Sequence, residues 1–220
     1  MFMKRTSKIF LSLLLVLVMA AVLPACSSLT YTSGNGNGSG SGDAGTYTPP
    51  ALDENLTYFA DINIEGLGVI TVQLDQAAAP VTYANFVELA ESGFYDGLTF
   101  HRIIDGFMMQ GGDPEGNGTG GSENKIVGEF ASNGIENNLS HTRGVLSMAR
   151  SSAPNSASSQ FFVCHADSPH LDGDYAAFGY VTEGMDVVDA VCTTVKPSGG
   201  NGKIAAEDQP VMTSVTIRTE

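Results

Sequence analysis

Basic side chains are scarce in this chain. Ten of its 220 residues are Lys or Arg, against 24 that are Asp or Glu. Three of the ten, Lys4, Arg5 and Lys8, stand at the very start; setting them aside leaves seven and moves the net charge from −14 to −17. So negative a chain argues against nucleic acid as a partner, because phosphate contacts need Lys and Arg. It does not suggest a surface that clings to anionic lipid either. The three cysteines, Cys26, Cys164 and Cys192, are too few for a disulfide framework. Whether Cys164 and Cys192 pair stays open. Tryptophan is absent. None of the four histidines shows metal-ligand spacing such as His-Glu-x-x-His. Ser147 lacks the Gly-x-Ser-x-Gly elbow of a serine hydrolase. The glycine-rich run Gly111 to Gly121 is followed by no Gly-Lys-Ser/Thr, so it is not a phosphate loop. Asp113, Glu115, Asn117 and Gly118 mimic the start of a calcium loop, but the closing acid, Glu123, comes one position early and no helices flank it. That run reads as a long surface loop.

What is present begins with an export signal. Lys4, Arg5 and Lys8 precede Ile9 to Leu23, an apolar run broken only by Ser12. The run is short for a membrane span, which needs about 20 apolar residues, and it ends in small residues, as a signal peptide does. An uncleaved N-terminal anchor is the other reading. Leu23-Pro24-Ala25-Cys26 resembles the lipobox of bacterial lipoproteins, with Pro24 departing from the pattern. That resemblance implies acylation of Cys26, attachment to a membrane through an N-terminal lipid anchor, and a location outside the cytoplasm. Residues 1–26 are then the signal, and 27–54 a Gly/Ser/Asn-rich linker with nothing to bury, expected to be disordered. A tether of that length spans about 25–30 Å. Residues 55–220 form the folded domain.

Within that domain the patterning is mostly that of strands. Ile62 and Ile64, then Ile70, Val72 and Leu74, alternate with polar residues around Gly66-Leu67-Gly68, which predicts a hairpin with one buried face. Pro80 to Ser92 reads as a helix: Pro80 suits a first turn, Tyr83, Phe86, Val87 and Ala90 share a face, and Gly93 supplies a stop. Ser159 to Cys164 and Ala176 to Val181 are short strands. Gly184 to Val191 is a second helix, and Val211 to Ile217 the last strand. Many short strands with two helices predict a closed antiparallel barrel.

The chemistry concentrates in Phe100 to Asp113. Arg102 stands among Phe100, Ile103, Ile104, Phe107, Met108 and Met109, and Gln110 follows. A core strand needs no arginine there, because a buried unpaired charge is costly. A ligand site has this make-up: an apolar floor with a few placed polar groups. A plain strand with an outward-facing arginine is the alternative.

Phe100-His101-Arg102-Ile103-Ile104, Phe107-Met108-Met109-Gln110-Gly111-Gly112-Asp113, Ser147-Met148-Ala149, Ser159-Gln160-Phe161-Phe162, Leu171-Asp172-Gly173 and Phe178-Gly179 stand in the order seen in the cyclophilin family of peptidyl-prolyl cis-trans isomerases. The chain resembles that family from about Leu56 to Glu220. The resemblance implies a mainly β fold: an eight-stranded antiparallel closed β-barrel capped by two α-helices. It implies an enzyme that accelerates rotation about Xaa-Pro bonds, assists folding of exported proteins, acts as a monomer on proline-containing segments, and uses no metal and no cofactor. By the same resemblance Arg102 takes the catalytic place. Phe107, Met108, Phe162 and Leu171 take the proline pocket. Gln110 and Gln160 take the substrate backbone, and Ala149 and Arg150 the residues before proline. Tyr175 sits where many members have histidine. His170 occupies a tryptophan position important for cyclosporin in many eukaryotic members, which implies weak binding of that drug. His101 follows the motif in a supporting role. A barrel that binds prolyl segments without turnover is the alternative; the retained arginine favours the enzyme.

Overall fold

The structure is a computed structural model and describes residues 46–220. The first strands form the expected hairpin, β1 (Tyr58–Ile64) and β2 (Gly68–Leu74), with Ile62 opposite Ile70 and Ala60 opposite Val72. All four are fully buried, because a period of two sends every second side chain to one face. Helix α1 (Pro80–Glu91) follows and buries Tyr83, Phe86, Val87 and Ala90. Its N-terminus has no side-chain cap of its own. The carboxylate of Glu129 supplies one from elsewhere in the chain, accepting the N–H groups of Val81 at 3.0 Å and Thr82 at 2.7 Å. An acid there satisfies orphan donors and complements the helix dipole.

Six more strands complete the sheet: β3 (Thr99–Ile104), β4 (Met108–Asp113), β5 (Val145–Met148), β6 (Phe161–Cys164), β7 (Ala177–Glu183) and β8 (Met212–Thr219). Helix α2 (Met185–Thr194) lies between the last two and runs three residues past its expected end. The order across the sheet is β3-β4-β6-β5-β7-β2-β1-β8, and every pairing is antiparallel. The sheet curls until its two end strands meet, but the barrel is not closed by a continuous ladder. β3 meets the chain entering β8 through one bridge, Thr99 with Val211, flanked by the N–H of Met212 to the carbonyl of Leu98 (2.8 Å) and that of Phe100 to Pro210 (2.9 Å). The expected closed barrel is therefore an open, curled one. Pro210, which has no N–H, stands at this seam and cannot extend a ladder.

Two other expectations change. The loop foreseen from Gly111 begins later, since Gly111 to Asp113 still belong to β4. Gly112 there is the extra residue of a bulge, at φ +76°, and a Cβ on it would stand 2.6 Å from the carbonyl oxygen of Ser159. The end of the expected linker is held on the domain. Tyr47 donates its N–H to the carbonyl of Lys125 and its hydroxyl to the Glu88 carboxylate, Pro49 is buried, and Leu52 packs on the core. The signal, the lipobox and Cys26 lie outside the described residues.

The core lies inside the curl. Phe86, Tyr95, Phe100 and Phe178 surround it with Phe161, Leu146 and Val163. Phe161 makes edge-to-face contacts with Phe86, Tyr95 and Phe100, at centroid distances of 5.4, 5.5 and 6.0 Å.

Candidate active site

Strict alternation along β3 would turn Arg102 inward with Phe100. A bulge prevents this. Phe100 pairs with Gly111 and Arg102 with Gln110, so His101 is an extra residue on β3. The bulge shifts the pleat by one position: Phe100 and Ile103 both face the core, and Arg102 faces out. On the outer face the ladder then builds one row across four strands, Arg102 opposite Gln110, Gln110 opposite Phe162, and Phe162 opposite Ser147. Met108 and Cys164 form the next row.

This face borders a cavity of about 120 Å³ lined by Arg102, Phe107, Met108, Gln110, Ala149, Arg150, Phe162, Leu171 and Tyr175. Nine expected residues thus meet at one place. Three others do not line it. Gln160 lines a second cavity of about 240 Å³ that shares Gln110, Ala149 and Arg150 with the first. His170 is exposed and packs on Phe107 at 5.4 Å. His101 is buried beside the glycine-rich loop, and neither ring nitrogen has a partner among the described residues. Burial holds its pKa below the ordinary value. A wider groove of about 590 Å³ runs past Tyr58, Tyr83 and Tyr180. Its charged lining groups are Glu54 and Asp75, with no Lys or Arg among them.

Neutral acceptors hold Arg102 in place. Nη1 donates to Oε1 of Gln110 at 3.2 Å and faces the Met108 sulfur at 3.8 Å. Gln110 donates in turn to Gln160 (2.9 Å), and Gln160 to the carbonyl of Gly120 (2.8 Å). The other side of the guanidinium meets Asn201. Burial pulls the pKa of Arg102 down from its ordinary value, yet a guanidinium stays charged in a protein. Arg150 is engaged differently: Nε donates to the carbonyl of Asp174 and Nη1 to that of Ser151, with the group lying between the rings of Phe130 (4.8 Å) and Tyr175 (4.9 Å). It props the wall of the cavity.

Behind Phe162 runs a polar relay that sequence reading missed. His141 stacks on Phe162, with centroids 6.0 Å apart. Its Nδ1 lies 2.8 Å from Asp172, and its Nε2 lies 2.9 Å from the Ser147 hydroxyl. The geometry is that of a serine triad, but Ser147 has no exposed surface and His141 is 1% exposed. No substrate reaches such a serine, so the relay is a brace. Burial holds His141 below the ordinary histidine range, although Asp172 opposes it. Asp113 is accounted for in the same way. Its carboxylate accepts the N–H groups of Glu115, Asn117 and Gly118 and so folds the glycine-rich loop. Burial acts to raise its pKa, but those three donors bring it below the usual range.

A curled eight-stranded sheet with an arginine beside an apolar outer cavity is the arrangement that the cyclophilin resemblance implies. The family model for cyclophilin-type peptidyl-prolyl cis-trans isomerases matches residues 59–219. A peptidyl-prolyl cis-trans isomerase of Synechococcus elongatus is 52% identical over 112 residues, covering 51% of this chain and 72% of the relative. A peptidyl-prolyl cis-trans isomerase-like 1 protein of Aspergillus niger is 46% identical over 146 residues, covering 66% and 83%. Among solved structures, a Cryptosporidium parvum cyclophilin-type isomerase crystallised in the presence of the dipeptide Ala-Pro matches with a TM-score of 0.64 and 30% identity, covering 74% of this chain and 99% of that one. The chain belongs to the cyclophilin family and is a peptidyl-prolyl cis-trans isomerase.

Proposed function

We propose that this isomerase works outside the cytoplasm, on Xaa-Pro bonds of exported proteins, held to a membrane by lipid on Cys26. The observation that carries the choice of place is the sequence Lys4 to Cys26, a basic start and a short apolar run ending in Leu-Pro-Ala-Cys. Two or three acyl chains would make such attachment stable, where a single chain is marginal.

In this reading the outer cavity takes the proline ring against Phe107, Met108, Phe162 and Leu171. An amide resists rotation by about 18–20 kcal/mol because its nitrogen lone pair is delocalised. In the twisted state the lone pair is localised on nitrogen, and Arg102 donates a hydrogen bond to it. That contact exists only in the twisted state, so it lowers the barrier rather than merely binding substrate. A dry apolar floor strengthens the charge. Gln110 and Gln160 hold the peptide backbone while the preceding carbonyl swings. No bond is made or broken, so no nucleophile enters.

Fractionation of bacterial cells expressing the full chain or its Cys26→Ser variant tests the placement. The parent is expected in the membrane fraction and open to protease added outside the cytoplasm, with the variant released from the membrane. A parent recovered in the cytoplasm would contradict the proposal.

A further inference from the structure

Asn201 stands in the loop Ser198 to Lys203, outside every residue assigned to the site so far. It is the one non-glycine residue with positive φ (59°) among the described residues. The loop docks on the outer edge of β3. Lys203 bridges Arg102, and the N–H of Ile204 donates to the carbonyl of His101 at 3.0 Å. Gly202 lies so close to Ile103 and Ile104 that a Cβ there would overlap both. The docking fixes Asn201 beside Arg102. Arg102 Nε donates to the Asn201 carbonyl at 2.9 Å, and Nη2 donates to its side-chain Oδ1, also at 2.9 Å. A left-handed non-glycine residue is strained, and strain of this kind persists where surrounding contacts hold it.

The chemistry of the clamp matters more than its shape. Two-point holding of a guanidinium is ordinarily the work of a carboxylate. It is so at Arg143, which pairs with Asp189, and at Arg218, which pairs with Asp61 and Glu220; Arg150, the other arginine on the cavity, is held by the backbone carbonyls of Asp174 and Ser151 instead. With 24 acids available, Arg102 is in no ion pair among the described residues, and both outer acceptors come from one neutral amide residue. A carboxylate in that place would cancel much of the field that Arg102 presents to the cavity.

We propose that Asn201 is a positioning residue for the isomerisation: it orients Arg102 from behind without neutralising it. This rests on the isomerase mechanism above. Asn201→Asp keeps the size and both acceptors but adds a charge. Asn201→Gly keeps the left-handed backbone and the carbonyl but removes Oδ1.

The test measures exchange of a short Xaa-Pro peptide by NMR, with kcat and KM resolved, for the full chain and both variants, alongside their thermal unfolding. Asn201→Asp is expected to lose about tenfold in kcat, a fraction of the effect of removing a whole donor. Its KM should stay within about twofold, and its melting temperature should not fall, since an ion pair is gained. Asn201→Gly should lose less kcat than the Asp variant. Parent-like kcat in Asn201→Asp would overturn the proposal, as would losses of kcat and melting temperature in step, the mark of a merely structural residue. If the parent itself fails to accelerate exchange, the isomerase mechanism fails and this inference falls with it; an active parent with an equally active Asp variant sinks the inference alone.

Discussion

Strand β6 places two phenylalanines side by side in sequence and on opposite faces of the sheet. Phe161 has no exposed surface and Phe162 has 4%, so burial barely separates them. Their surroundings do. Phe161 sits among aromatic rings inside the curl. Phe162 belongs to a thin outer cluster with Met108, Val145, Cys164, Leu171 and Ala177, backed by His141 and edged by Tyr175. The inner layer is apolar on every side and holds the fold. The outer layer is one residue deep, open to a cavity, and stiffened by hydrogen bonds instead of by bulk. A fold can therefore tolerate a binding face on its own sheet if a polar brace replaces the missing second layer.

Substitutions can break this comparison. Phe161→Ala should cost about 3–5 kcal/mol of stability, the usual loss for a buried aromatic. Phe162→Ala should cost roughly half of that, because less of a new cavity forms beside one that is already open, and it should weaken peptide binding. Denaturant unfolding and peptide titration check both; equal stability losses with unchanged binding in Phe162→Ala would erase the distinction. His141→Ala should cost about 1–3 kcal/mol, the penalty for leaving Ser147 and Asp172 without their partner, and raise KM through Phe162.

The brace also predicts a pH dependence. The pKa values of His141 and His101 are lowered in the fold, first by burial. The unfolded chain then binds protons more readily than the native one as the solution is acidified. This stabilisation is complete above the unfolded value near pH ~6.5 and is lost as pH falls from there through the lower folded values. Unfolding free energies measured from pH 8 to pH 5 should decline across that window, and His141→Gln should flatten the decline. A curve that rises on acidification would contradict the neutral brace.

Smaller effects sharpen the picture. Cys164 and Cys192 are free and buried, one in each layer, and burial pushes both thiols up to about 12. Neither should be alkylated until the chain unfolds. Tyr47→Phe removes the hydroxyl that reaches Glu88, and should speed amide exchange at Tyr47 while turnover stays that of the parent.

Much of the inner layer was legible in the sequence. The alternation around Ile62 and Ile70 and the face Tyr83-Phe86-Val87-Ala90 have the periods that burial imposes, and both are buried as read. The motif resemblance named nine residues that line one cavity. What escaped depends on contacts between distant parts of the chain. The bulge at His101 is set by pairing with β4, not by β3 alone. The cap on α1 comes from Glu129, 47 residues past Thr82. The open seam reflects how far the sheet curls, which no single strand encodes. Asn201 lies 99 residues from Arg102, and its only local signal was a glycine-rich turn, Gly199-Gly200-Asn201-Gly202. His141 carried no motif at all.

Arg102 carries the proposed catalysis. Exchange of a short Xaa-Pro peptide, followed by NMR line-broadening, should be faster with the full chain than without it. Arg102→Ala should lose about 10²-fold in turnover, the cost of one well-placed donor, while still folding and still binding the peptide through the apolar wall. An Arg102→Ala protein that turns over like the parent would contradict the account.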